Sequence, residues 1–133
     1  MRRIHRKPPL YLSIGYAVRG IGFVIVTQRN MRIHLVTAAA AVILGWLLSI
    51  SHIEWMILVL TIALVLVAEG LNTAVEMAVD LATRKTRFRA MLSKDIAAGG
   101  VLIAALNSLV VGYLLFFDRL VTLVMKWTFI CGH

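Results

Sequence analysis

The chain has 133 residues, of which 61% are hydrophobic and only 15% are charged, with 14 Lys and Arg against 6 Asp and Glu. A water-soluble domain of this length cannot bury so much apolar surface, so the composition excludes an ordinary soluble protein. With one cysteine, Cys131, the chain forms no internal disulfide. We predict a single integral membrane domain over residues 1–133.

The N-terminal region is basic and then amphipathic. Gly and Arg residues interrupt the sequence that follows, so it lacks the apolar core and the cleavage site of a signal peptide. After Pro8-Pro9, apolar residues recur at helical spacing, whereas Arg19 and Gln28 fall elsewhere. This pattern predicts an amphipathic helix over residues 10–28 that lies on the cytosolic membrane surface.

Three longer apolar runs predict transmembrane helices. At about 1.5 Å per residue, each run is long enough to approach or exceed the ~30 Å thickness of the hydrocarbon core. The runs cover residues 32–50, 54–83 and 96–117. Residues 118–133 contain too few hydrophobic positions for a fourth span and are predicted to form a tail. The expected fold is therefore all-α, with a surface helix and three transmembrane helices.

The cationic residues predict the orientation of the spans. Lys and Arg cluster before the first span and between the second and third, whereas residues 49–54 contain neither. This bias places the N-terminus and the second loop in the cytosol, and three spans place the C-terminus outside. This positive-inside bias, together with attraction to anionic headgroups, accounts for most of the formal charge of +8. The bilayer is thus a predicted partner, and nucleic acid is not.

The acidic residues are concentrated in one part of the chain. Four of the six, Glu69, Glu76, Asp80 and Asp95, lie within or just after the second span. Because a helix turns about 100° per residue, Asn72 shares one helical face with the first three of them. The pattern predicts a polar stripe along the second span.

Glu69 is expected to lie within the membrane. It is about 21 Å along the helix from Trp55, and Glu76 is about 10 Å further, at headgroup level. A carboxyl in hydrocarbon is costly unless it is paired or protonated, so Glu69 is a candidate for function. There is also a purely structural alternative. In it, Glu69 and Asn72 would form hydrogen bonds with neighbouring helices, and Glu76 and Asp80 would form salt bridges with the next loop.

These residue types suit phosphoryl transfer, which depends on positioning and charge neutralisation. A buried carboxyl near the interface can take a proton from a lipid hydroxyl that arrives through the bilayer. Glu76, nearer the cytosol, suits Mg²⁺ that bridges nucleotide phosphates, and Lys94 offers those phosphates a point charge. An ion pathway would instead spread polar residues across the whole membrane depth.

Residues 68–76 (AEGLNTAVE), followed by Val79-Asp80 and Lys94-Asp95, resemble the prokaryotic diacylglycerol kinase and undecaprenol kinase family in order and spacing. The resemblance covers roughly residues 10–118. It implies a homotrimer of three-span subunits in the bacterial cytoplasmic membrane. It also implies transfer of the γ-phosphate of ATP, with Mg²⁺, to a membrane lipid alcohol at the cytosolic face.

Matching positions imply roles for individual side chains. Glu69 would be the general base, Asn72 would orient the acceptor or the phosphate, and Glu76 would bind the metal. The side chains implied at the ATP site are Tyr16, Lys94, Asp95 and Asp80. The family usually has Glu as a second metal ligand where this chain has Gln28, which offers a carbonyl oxygen without a charge.

Two lipids are candidates for the phosphate acceptor. Residues 29–34 and 95–100 resemble the undecaprenol kinase branch more than the diacylglycerol branch, which has Gly-Ser within the second stretch. We therefore predict undecaprenol, with diacylglycerol as the alternative. A reading from another class is a non-catalytic membrane assembly or small transport protein, in which the stripe only holds helices together. His34 is interpreted as an interfacial polar residue without a catalytic role.

Overall fold

A computed structural model of the chain describes residues 9–83 and 88–131, with side chains through residue 127. Within these ranges the protein consists of α1 (Leu10–Thr27), α2 (Arg29–Leu47), α3 (His52–Ala82) and α4 (Phe88–Cys131). Each helix is long and apolar enough to cross a membrane. The expectation of an all-helical membrane protein is confirmed. By length and composition α1 also qualifies as a span, so its location on the membrane surface stays a prediction.

A single residue connects α1 to α2. Gln28 has extended backbone angles (φ −95°, ψ 119°) and ends α1, while its N–H donates to the Val24 carbonyl at 2.9 Å. Its own carbonyl accepts from the Arg32 N–H at 3.4 Å. No residue of α1 is buried. Helix α1 therefore contacts α2 and α3 but contributes no buried residue to the core.

The turn after α2 is a Schellman motif. The Ser49 N–H donates to Trp46 O, and the Ile50 N–H donates to Gly45 O, both at 3.2 Å. Ser49 has a φ of 47°, in the left-handed region that favours glycine. Ile50 folds back on Gly45, where an added Cβ would lie 3.0 Å from Ile50 Cδ1. The motif closes the hairpin of α2 and α3.

This turn supplies a stability prediction. Ser49→Gly should stabilise the protein by about 1 kcal/mol, because the left-handed conformation costs a residue with a Cβ roughly that amount. The same replacement in a regular helix, Ser93→Gly, should destabilise the protein, because glycine weakens helix interiors. Thermal unfolding in detergent would compare the two variants with wild type. Destabilisation by Ser49→Gly would show that this turn does not carry the expected backbone strain.

Glu54 links the start of α3 to α4. Its backbone N–H donates to Ser51 Oγ at 3.4 Å, and its carboxylate accepts from the Ser51 N–H at 2.7 Å, which completes a capping box. The carboxylate also pairs with both terminal nitrogens of Arg119, at 2.8 and 2.9 Å. This fork-to-fork pair fixes α4 beside the first turn of α3.

The last helix is longer than the sequence pattern predicted. We expected it over residues 96–117 with a separate tail, but α4 starts at Phe88 and continues to Cys131. No Pro or Gly occurs between residues 113 and 131 to end it, and Arg119 anchors this part to Glu54. Residues 118–131 are therefore a continuation of the helix.

The apolar core lies at the Trp55 end of the bundle. Its buried members are Ile50, Leu58, Leu115 and Phe116, and Trp55 packs against them. At the opposite end of α3, buried polar side chains lie among buried apolar ones such as Met31 and Val101.

Candidate functional site

Three polar side chains of α3 are almost completely buried. Glu69, Asn72 and Thr73 are 2%, 7% and 2% exposed. The Thr73 hydroxyl donates to the Glu69 carbonyl at 3.0 Å, and Asn72 Nδ2 donates to Glu76 Oε1 at 3.2 Å. Glu69 Oε2 and Asn72 Oδ1 are buried without a hydrogen-bond partner within residues 9–83 and 88–131. Such acceptors are costly unless a bound group satisfies them.

The residues that carry these two acceptors line a cavity of about 280 Å³, called here the Glu69 cavity. Helix α2 contributes Asn30 and His34 to its wall, and α3 contributes Glu69 and Asn72. The wall from α4 is apolar and includes Ala98. Helices of one chain therefore form a small chamber that is polar on two sides and apolar on the third.

Lys94 precedes the α4 wall of this cavity in the chain without lining the cavity itself. It is one turn before Ala98 on α4, so the two residues share a helical face. Its Nζ pairs with Asp80 Oδ1 at 2.6 Å, with side-chain exposures of 36% and 68%. The salt bridge joins the ends of α3 and α4, as the purely structural alternative for Asp80 expected. Asp95, the next residue, is exposed.

The predicted polar stripe has the expected geometry. Glu69 and Asn72 line one cavity, and the hydrogen bond from Asn72 continues the stripe to Glu76. Asp80, four residues after Glu76, is the last residue of the stripe and pairs with Lys94 of α4. The basic residues at 84, 85 and 87 and those before residue 9 lie outside the described ranges.

Tyr16 lies away from Glu69. It is 58% exposed and lines a groove of about 890 Å³ between α1, α2 and α3, called here the Tyr16 groove. From α3 this groove receives Gly70 and Ala74, and it shares no lining residue with the Glu69 cavity. A single chain therefore does not bring Tyr16 to the Glu69 cavity.

Gln28 and Glu76 are the expected metal ligands. Gln28 is partly buried, and its amide is 3.5 Å from Thr27 Oγ1; no hydrogen bond joins it to Glu76 in the described part of the chain. Over the same residues, no group of three or more His, Cys, Asp or Glu side chains is placed to hold a metal ion. Glu76 still suits Mg²⁺ that arrives with a nucleotide, because Mg²⁺ commonly uses one or two carboxylates and completes its shell with phosphates and water.

His34, interpreted from the sequence as an interfacial polar residue, lines the Glu69 cavity from α2. The available signal was its spacing, four residues after Asn30, which puts both side chains on one helical face. That spacing did not indicate which face of α2 packs against α3.

Comparisons with known proteins agree with the motif. The prokaryotic diacylglycerol kinase family profile matches residues 15–116. A diacylglycerol kinase of Synechocystis sp. is 40% identical over 119 residues, which cover 89% of this chain and 68% of the relative. An undecaprenol kinase of Bacillus subtilis is 42% identical over 110 residues, which cover 83% of this chain and 89% of the relative. The chain belongs to the prokaryotic diacylglycerol kinase family.

Proposed function

We propose that this protein is an ATP-dependent lipid kinase that phosphorylates a membrane lipid alcohol, with undecaprenol as the acceptor. The observation that carries the proposal is the buried Glu69 side chain, which lines a cavity and whose Oε2 has no hydrogen-bond partner in the described chain. A hydroxyl in this cavity can donate its hydrogen bond to that oxygen. The family membership of the chain supports the same reaction class.

The reaction transfers one phosphoryl group. The acceptor oxygen attacks the γ-phosphorus of ATP, the bond from that phosphorus to the β-phosphate bridging oxygen breaks, and ADP leaves. Glu69 takes the hydroxyl proton as general base. Asn72 holds Glu76 in place through its amide nitrogen, and its carbonyl oxygen is free to accept a hydrogen bond. The products are the lipid phosphate and ADP.

The nucleotide site is proposed at the end of the bundle where Lys94 and Asp80 meet. Lys94 precedes the α4 wall of the Glu69 cavity in the chain and would exchange its contact with Asp80 for the ATP phosphates. Glu76, with Gln28 as a neutral second ligand, would hold the Mg²⁺ that neutralises phosphate charge. Asp95 and Tyr16 are proposed to complete the ATP site. Tyr16 would come from a neighbouring subunit, because within its own chain it lines a groove separate from the Glu69 cavity.

The apolar α4 wall favours undecaprenol over diacylglycerol. Ala98 and its neighbours offer no hydrogen-bonding side chain to the Glu69 cavity. Undecaprenol has a hydroxyl as its only polar group, whereas diacylglycerol also carries two ester groups that lose water on entry and need partners. The diacylglycerol reading rests on the Synechocystis relative, whose identity to this chain is similar.

The membrane arrangement is part of the proposal. We infer that α1 lies on the cytosolic surface and that α2, α3 and α4 cross the bilayer of the cytoplasmic membrane, with the C-terminus outside. The single-residue link at Gln28 supports this arrangement, because hairpins between neighbouring spans usually need longer loops. A homotrimer follows from the family resemblance. Burial of Glu69 does not itself require a second subunit, since α2 and α4 of the same chain already cover it.

A substrate panel tests the proposed function. Purified protein would be incubated with labelled ATP, Mg²⁺ and either undecaprenol or diacylglycerol in lipid bilayers. We expect phosphate transfer to both to be measurable, with a higher kcat/KM for undecaprenol. Preference for diacylglycerol would reverse the acceptor assignment, and transfer to neither lipid would favour the non-catalytic reading.

Gln28→Glu should lower the Mg²⁺ concentration for half-maximal activity severalfold, because a carboxylate is a stronger ligand for Mg²⁺ than an amide. The matched control is Thr27→Glu. It adds the same charge one residue away, at a side chain that bonds its own helix at Phe23 O. Magnesium titrations of the three proteins decide the matter. An unchanged or higher half-saturation in Gln28→Glu would show that position 28 is not a metal ligand here.

A further inference from the structure

His34 lies at the junction of two cavities. On one side is the Glu69 cavity. On the other side a groove of about 400 Å³ continues toward the Trp55 end between α2, α3 and α4, called here the Leu58 groove. His34 is partly buried and lines both spaces. A molecule with one end in each space must therefore pass this side chain.

The two cavities form one seam along the bundle. On α3, Asn72 and Glu69 line the first, and Val65 and Leu58 line the second, at the spacing of a single helical face. The seam is polar at Glu69 and mainly apolar at Leu58. Its polarity matches a lipid alcohol, which has a hydroxyl at one end and hydrocarbon along the rest.

The polar end has hydrogen-bonding capacity on both walls. Glu69 Oε2 accepts no hydrogen bond, and the His34 side chain makes none with the described residues. The two side chains line the same cavity and are not hydrogen-bonded to each other. A group bound in this cavity therefore lies between them.

A hydroxyl has the required bonding pattern. Its O–H donates to the Glu69 carboxylate, and one of its two oxygen lone pairs accepts from an imidazole N–H. The competing side-chain donors on these walls are less suitable. Asn72 Nδ2 is already bonded to Glu76, and Asn30 is exposed.

We propose that His34 binds the lipid acceptor by donating a hydrogen bond to its hydroxyl oxygen, with the hydrocarbon chain directed into the Leu58 groove. The second lone pair of that oxygen attacks the γ-phosphorus of ATP, and the proton passes to Glu69. This inference rests on the proposed lipid kinase function and adds to it a contact that selects an acceptor with a free hydroxyl.

The test separates hydrogen bonding from packing. His34→Leu keeps similar bulk without a donor and should raise KM for undecaprenol about tenfold, the effect of losing a hydrogen bond worth roughly 1.4 kcal/mol. KM for MgATP should stay unchanged. His34→Gln restores an N–H donor and should recover most of the loss. If His34→Leu fails to fold, His34→Phe replaces it as the variant without a donor and is compared with His34→Gln.

Thr122→Val is the control. Thr122 lies outside both the Glu69 cavity and the Leu58 groove, and its hydroxyl already donates a hydrogen bond to Asp118 O of its own helix. Its replacement should leave KM for undecaprenol within about twofold of wild type, because it removes no donor at the junction. A similar rise in both variants would assign the His34 effect to general packing and overturn the proposal.

Binding without turnover distinguishes this inference from the proposed function. Calorimetric titration of nucleotide-free protein with farnesol, a short prenyl alcohol, should give about tenfold weaker binding in His34→Leu than in wild type. If no lipid is phosphorylated but farnesol binding still depends on His34, the kinase proposal fails and the acceptor site stands. Equal farnesol binding by both proteins, or an unchanged KM for undecaprenol, overturns the role of His34.

Discussion

Glu69→Gln is expected to lower kcat by about 10²- to 10⁴-fold, the usual contribution of a general base. The amide preserves the size of the side chain and its contacts with the cavity, but it cannot take the hydroxyl proton. Glu69→Ala should lose at least as much activity. Labelled phosphate transfer and ATP binding would be measured on the same preparations, and ATP binding should persist because the nucleotide is proposed to bind toward Lys94.

Thr73→Val provides the control for buried polarity. Thr73 is as buried as Glu69, but its hydroxyl is satisfied by the Glu69 carbonyl of its own helix. Its loss should leave turnover within about tenfold of wild type. If Glu69→Gln also kept turnover within about tenfold, a loss of only ~1.4 kcal/mol, Glu69 would have no role as general base.

Lys94→Ala is expected to reduce kcat/KM by about 10²- to 10³-fold, the cost of removing one preorganised charge from a transferring phosphoryl group. Lys94→Arg keeps the charge but changes its shape, so it should recover only part of the loss. Asp80→Asn serves as the comparison. It removes the salt-bridge partner at 2.6 Å while it leaves the Lys94 charge in place, and it should therefore cost less activity.

Mixed oligomers test whether Lys94 and Glu69 act within one chain. The structure puts Lys94 one turn from a residue that lines the Glu69 cavity of the same chain. Subunits inactivated by Glu69→Ala and subunits inactivated by Lys94→Ala should therefore remain inactive when combined. Recovery of activity in verified mixed oligomers would place the two residues of each site on different chains.

Local rules in the sequence were sufficient for several parts of the site. Helical periodicity placed Glu69, Asn72 and Glu76 on one face, and the hydrogen bond from Asn72 to Glu76 follows from that spacing. Depth along the second span identified Glu69 as an unusual carboxyl. Its near-complete burial agrees with that expectation.

Other features depended on residues far apart in the chain. The pairing of Glu54 with Arg119 joins positions 65 residues apart, so neither helical spacing nor composition indicates it. The same contact accompanies the extension of α4 beyond residue 117. Hydrophobicity alone predicted a tail there, because that measure does not register a charged residue that is paired by a neighbouring helix.

The sequence by itself determined a helical membrane protein, its family and the polar face of α3, because length, hydrophobicity and angular period are properties of each helix alone. Only the tertiary structure decided what that face meets. His34 and Ala98 reach the Glu69 cavity because α2 and α4 pack on α3 at particular rotations. A helical period fixes the angle between side chains around one axis, but it does not fix the rotation of one helix against another. That rotation is set by side-chain packing between helices and by contacts such as Glu54 with Arg119.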